Sequence, residues 1–216
     1  MKLFNMDGGL MKTLSKMTDV ICLSIMFVLC CIPIITIGTA ATALYYTMHK
    51  VVKHERGYIF REYVSAFKSN FKHTTPIWLF VVVLFSVLGI DIYIMNAYAQ
   101  NGSWVGGLAI FFLVVMTLVF AWSLYLFAYI ARFETTRKQA MKNALLMTIA
   151  HLPWTIVLIF MGIVSSLILY IMPVSICFIP GIFVWIETSI LDKIFWKYMS
   201  EEDRKAEEER NREYLN

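Results

Sequence analysis

IYIMNAYAQNGSWVGGLAIFFLVVMTLVFAWSLYLFAYIA (Ile92–Ala131) contains no Lys, Arg, Asp or Glu. Neither does NALLMTIAHLPWTIVLIFMGIVSSLILYIMPVSICFIPGIFVWI (Asn143–Ile186). Each stretch is about twice the ~20 apolar residues that cross a bilayer as a helix. Each is also split by a turn-like segment, Gln100-Asn101-Gly102-Ser103 in the first and Tyr170-Ile171-Met172-Pro173 in the second. Two charge-free stretches with a turn in each predict two transmembrane helical hairpins.

The composition agrees. The chain has 216 residues, 59% of them hydrophobic, and a mean hydropathy of +0.68. A soluble domain of this size cannot bury that much apolar surface, because surface-to-volume scaling limits what is hidden. The length suits a single integral membrane domain, residues 1–216, with short connections. Cys22, Cys30, Cys31 and Cys177 all lie in apolar runs without metal-like spacing, so they read as small buried hydrophobes.

The cations fall into four groups. Lys2, Lys12 and Lys16 belong to the N-terminal segment, and Lys50, Lys53, Arg56, Arg61, Lys68 and Lys72 to a long first loop. Arg132, Arg137, Lys138 and Lys142 lie between the hairpins, and six more lie from Lys193 to Arg212. The two turns inside the charge-free stretches have none. By the positive-inside rule the first loop, the inter-hairpin loop and the tail are cytoplasmic, and the turns face out. The expected location is a cell membrane, multi-pass, with the C-terminus cytoplasmic.

The expected fold is therefore all-α, a polytopic membrane helix bundle. Five strong spans cover 20–37, 76–99, 104–131, 152–170 and 173–191. A candidate sixth, Thr36–Val52, is moderately apolar. If it crosses, Ile32-Pro33-Ile34 is an outer turn and both termini are cytoplasmic; if not, Lys2, Lys12 and Lys16 stand outside. Hydropathy favours five and charge favours six. The N-terminal segment 1–19 carries Asp7 and Asp19, which argues for a retained helix over a cleaved signal peptide. Pro76 and Pro153 suit the first turn of a helix, where a missing N–H costs nothing. Residues 132–150 read as a basic cytoplasmic loop. The tail, 192–216, reads as a charged solvated helix with a capping box of Ser200 and Asp203. Trp78, Trp104, Trp154 and Trp196 fall near expected interfaces, as an aromatic belt would.

Residues 58–73 form the best amphipathic segment. Phe60, Tyr63, Val64, Phe67 and Phe71 recur on one helical face, with Arg61, Ser65, Lys68 and Lys72 on the flanks. Such a helix lies in the inner headgroup layer over anionic lipid. A partner-docking helix has the same pattern, and Phe60, Arg61, Tyr63, Phe67, Lys68, Phe71 and Lys72 are its candidate contacts.

No nucleophile motif, phosphate-cradling loop or His/Cys ligand cluster is present in the sequence. No catalytic residue, cofactor site or metal site is assigned, no enzyme activity is expected, and no nucleic-acid partner. The four histidines lie near expected cytoplasmic boundaries. Asp91 is the sharpest single residue, ~12 Å inside span 76–99 at 1.5 Å per residue. An intramembrane carboxylate is a functional hypothesis by default; an Asp facing a wet bundle mouth is the plain alternative. Glu187 sits nearer the inner boundary, where snorkelling or pairing with Lys193 or Arg132 accounts for it. Pro180-Gly181 is a candidate helix break, a feature that exposes backbone groups for ligands in transporters.

Several motifs together resemble a known family. Cys31-Ile32-Pro33-Ile34-Ile35-Thr36-Ile37-Gly38 leads into Ala41-Thr42-Ala43-Leu44-Tyr45-Tyr46, followed by Gly57-Tyr58-Ile59-Phe60-Arg61 and Phe67-Lys68-Ser69-Asn70-Phe71-Lys72. Ala131-Arg132-Phe133 and Ala150-His151-Leu152-Pro153 extend the similarity. The chain resembles the YesL-like family of bacterial integral membrane proteins, a domain of unknown function. That resemblance implies a link to sugar import, because members are often encoded beside carbohydrate-uptake ABC transporters; it implies no catalytic residues. Two functions follow as expectations. One is an accessory or regulatory component of carbohydrate uptake, partnered by the lipid bilayer and by a carbohydrate ABC transporter or further copies of itself. The other is a stand-alone small-solute transporter or permease-like subunit using Asp91 and the Pro180-Gly181 break.

Overall fold

The computed structural model describes residues 9–54, 57–101 and 104–199, together with 201, 204, 205 and 207–209 of the tail. Among them there is helix and turn but no strand. Seven α-helices follow in order: α1 (Gly9–Cys30), α2 (Ile37–Thr47), α3 (Ile59–Gln100), α4 (Leu108–Arg132), α5 (Arg137–Ala150), α6 (Leu152–Ile171) and α7 (Ile179–Tyr198). The expected capping box of Ser200 with Asp203 lies outside the described residues, as do Gly102 and Ser103.

Three helical stretches are long and apolar enough, by length and composition, to cross a membrane: Ile59–Gln100, Trp104–Arg132 and Leu152–Ile171. In their most apolar windows only 17%, 11% and 17% of residues are buried, so these faces are presented outward, as lipid-facing surfaces are. Three is fewer than the five strong spans expected. The expected span 20–37 ends early, because α1 stops at Cys30 and Pro33 precedes a short 3-10 turn over Ile34–Thr36. Thr36 closes that turn by donating its hydroxyl to the carbonyls of Cys30 and Pro33, at 2.5 and 2.6 Å. The expected span 173–191 begins as a 3-10 turn, Pro173–Cys177, and its helix continues to Tyr198. In α7, Glu187, Asp192, Lys193 and Lys197 make the helix too charged to read as a span on composition alone.

The amphipathic segment 58–73 and the span 76–99 are one helix. α3 runs unbroken for 42 residues with Pro76 inside it, so Pro76 does not start a helix. A proline there leaves the carbonyl four residues earlier, that of Lys72, without its N–H donor. Arg137 supplies the replacement, its Nη2 donating to the Lys72 carbonyl at 2.9 Å. The expected basic loop 132–150 is largely helical: α5 starts at a capping box formed by Thr136 and Gln139, which satisfies first-turn donors.

α2 is the inner element, with Ala40, Ala43, Leu44 and Tyr45 all buried, and it widens into a π-helical turn over Met48–Lys53. It runs antiparallel to the first half of α3. Thr39 and Thr75 meet through their hydroxyls at 3.3 Å, and Lys50 Nζ bonds Glu62 Oε2 at 2.7 Å. At the start of α2, Gly38 lies against Trp78, where an added Cβ would come within 2.6 Å of the Trp78 Cβ. The Trp78 indole donates to the Ile34 carbonyl at 2.7 Å. The far end of α3 touches the α3–α4 turn, with Gly106 packed on Ala99. From Trp78 to Ala99 a helix rises about 31 Å, close to the ~30 Å of a hydrocarbon core. The Ile32-Pro33-Ile34 turn therefore does not stand level with the α3–α4 turn, as the six-span reading requires.

Candidate functional site

A cavity of about 320 Å³ opens among α2, α4, α6 and α7. Its walls are mostly apolar and include Phe27, Phe120, Phe127 and Phe183. Gly162 lines it, and Gly181 follows the lining residue Pro180. At Gly162 the Phe120 ring lies where a Cβ would sit, with Phe120 Cε1 at 2.8 Å. At Gly181 the backbone N–H donates to Ser24 Oγ at 2.9 Å, and an added Cβ would fall 2.6 Å from the Val20 carbonyl. That contact draws the first turn of α7 onto α1. Pro180 also occupies this first turn, where it needs no donor. Pro180 and Gly181 thus stand at the junction between the Pro173–Cys177 turn and α7.

Glu187 lines the cavity and is only 4% exposed. Among the described residues its carboxyl has no hydrogen-bond or ion-pair partner. Arg132, a partner the sequence allows, is engaged elsewhere. Its Nη1 bonds Glu207 Oε1 at 3.0 Å, and its Nε lies 3.8 Å from Asp192 Oδ1.

Arg132 belongs to a second feature, a buried ionic cluster built from α2 and its π-helical turn, α4, α7 and the tail. Lys53 Nζ bonds Asp192 Oδ2 at 2.6 Å, and the Tyr45 hydroxyl donates to Asp192 Oδ1 at 3.3 Å. His49 lies between, with Nδ1 3.1 Å from Arg132 Nη1 and Nε2 3.3 Å from Asp192 Oδ2. A guanidinium can only donate, so His49 Nδ1 accepts from it and the Nε2 proton faces Asp192. Burial pushes the Asp192 carboxyl above its ordinary value, while Lys53, Arg132 and the Tyr45 hydroxyl hold it back. The ligand atoms of His49, His54 and Glu207 lie within 4.8 Å of one another, a spacing that would admit a metal. The guanidinium already on Glu207 places a fixed positive charge beside that spot.

The remaining sequence candidates are dispersed. Asp91 is half-buried on α3, has no hydrogen-bond or ion-pair partner among the described residues, and does not line the cavity of Glu187. The aromatic face expected to meet lipid is divided. Tyr63 is fully buried and Phe67 packs on the core, whereas Phe60 and Phe71 are exposed together with Arg61, Lys68 and Lys72. The structure brings Glu187, Pro180 and the residues around Gly181 to one cavity and leaves Asp91 apart. The ionic cluster was not read from the sequence. Its available signal was that Arg132 directly follows one charge-free stretch and Asp192 lies six residues past the end of the other.

The architecture is that of an all-α bundle with outward-facing apolar helices. Residues 20–92, from α1 through most of α3, match the family model described as "Protein of unknown function, DUF624". No curated protein and no solved structure matches the chain.

Proposed function

We propose that this chain is a multi-pass membrane protein of accessory or regulatory type, which docks onto a carbohydrate ABC transporter and does not itself carry solute. The observation behind this reading is the continuity of α3. Its first half, packed against α2 and presenting Phe60, Arg61, Lys68, Phe71 and Lys72, is one continuous helix with its apolar second half. A partner bound to the first half is thereby coupled mechanically to the membrane-facing part. The sugar-import link and the YesL-like name come from the sequence resemblance. The cytoplasmic placement of α5 and the tail, and a crossing by α7 beside the three most apolar helices, come from the charge asymmetry.

Affinity purification from native membranes in mild detergent, with mass spectrometry, tests it. A permease or ATPase recovered in stoichiometric amount, and lost on combined Arg61→Glu, Lys68→Glu and Phe71→Ala substitution, supports docking. A chain recovered alone that moves solute in proteoliposomes, with loss on Asp91→Asn, supports the carrier reading.

A further inference from the structure

We propose that the cavity among α2, α4, α6 and α7 is a binding site for a lipophilic monocation, with Glu187 as its counter-charge. The proposal does not depend on the docking reading.

A carboxylate withdrawn from water without a partner is costly, and buried charges are as a rule paired. Glu187 is almost fully buried and lines the cavity, yet no described residue bonds or pairs with it. No Lys, Arg or His lines that cavity among the described residues. Arg132 and Lys53, the cations of the ionic cluster, are committed to Glu207 and Asp192. An occupant that brings a positive charge would give this carboxyl the partner that the chain does not supply.

The walls select the kind of cation. Phe27, Phe120, Phe127 and Phe183 present aromatic surface on several sides. Aromatic faces attract cations, most strongly when both are desolvated, and they also accept an apolar body. On the wall, the Ser166 hydroxyl is committed to its own helix, donating to the Gly162 carbonyl at 2.8 Å. A volume of about 320 Å³ lies at the lower end of the range of small-molecule pockets. A strongly hydrated ammonium with no apolar body would gain little there, and a neutral lipid chain would leave Glu187 unpaired.

Binding is measured on the full chain in nanodiscs, using tetraphenylphosphonium and its anionic counterpart of the same shape, tetraphenylborate. Saturable binding of the phosphonium is expected, weakened about tenfold or more by Glu187→Gln, retained in Glu187→Asp, and absent for the borate. Ser165→Phe, which fills the cavity and leaves the carboxylate in place, should abolish binding while the protein keeps its thermal transition. It answers the question even if Glu187→Gln fails to fold. Equal affinity of wild type and Glu187→Gln, equal binding of the borate, or undiminished binding in Ser165→Phe would each overturn the assignment.

Discussion

Arg137 donates a hydrogen bond of 2.9 Å to the carbonyl of Lys72, the group that Pro76 deprives of its helical partner. The two residues are far apart in sequence, and the bond joins the start of α5 to the middle of α3. It explains how a proline sits inside a 42-residue helix without ending it. Arg137→Ala should cost about 1 kcal/mol, the usual net value of one hydrogen bond. In a Pro76→Ala background the restored N–H serves Lys72, and the same substitution should cost almost nothing. Thermal unfolding of the four proteins in detergent gives the coupling; equal costs in both backgrounds would show that the arginine does not substitute for the missing N–H.

This pair also marks how far the sequence could be read. Helices α4 and α6 were legible because long charge-free stretches need no partner to declare themselves. The union of the amphipathic segment with the span was not, because Pro76 is a start signal locally and its compensation comes from Arg137 on another helix. Glu187 stands out in the sequence as an intramembrane acid, with Lys193 and Arg132 as the cations in reach. Arg132 pairs instead with Glu207, which lies farther from it in sequence than Glu187 does, and only the packing of α4, α7 and the tail decides between them. The aromatic residues of 58–73 recur at helical spacing, yet periodicity does not say whether lipid or the protein's own core covers the face. Tyr63 is fully buried, and Phe60 remains exposed.

Gly181 is a contact point where size is limiting. Its N–H bonds Ser24 Oγ, and a methyl group would meet both that hydroxyl and the Val20 carbonyl. Gly181→Ala should destabilise the protein by about 2 kcal/mol through overpacking. Removing the hydroxyl as well, in Gly181→Ala with Ser24→Ala, should not restore stability, because the Val20 carbonyl cannot be trimmed away. Full recovery in a melting experiment would mean that α1 and α7 are less closely seated than this geometry requires.

The ionic cluster should behave as a unit around Arg132. Its side chain is 9% exposed and lies between Asp192 and Glu207, at 12% and 6%. Arg132→Leu leaves both carboxylates short of a cation and should cost about 3 kcal/mol. Asp192→Leu added to it should return part of that loss. The pH dependence has a definite sign. Asp192 already titrates above its ordinary value because burial outweighs its partners, so ionising it costs more in the folded protein than in the unfolded chain. Its contribution is fully present below the unfolded value and is lost as pH rises through the folded one. Without Arg132 the folded value moves higher still. The melting temperature of Arg132→Leu relative to wild type should therefore fall as pH rises above the ordinary carboxylate range, and a difference that grows towards acid would contradict this assignment.

The turn at Ile32–Ile35 carries the last prediction. Ile34 is tied to Trp78 at one end of the apolar half of α3, and Ala99 packs on the α3–α4 turn at the other. The rise between them, about 31 Å, matches one hydrocarbon thickness. If α3 crosses the membrane along that length, Ile34 and Asn101 must lie at opposite faces. In a variant without Cys22, Cys30, Cys31 and Cys177, single cysteines at Ile34 and at Asn101 should react with a membrane-impermeant thiol reagent from opposite sides of sealed vesicles. Lys68→Cys, on the first half of α3, should share the side of Ile34. Labelling of Ile34 and Asn101 from the same side would mean that the α1–α2 turn reaches the outer face, which the hydrogen bond from Trp78 to the Ile34 carbonyl does not allow.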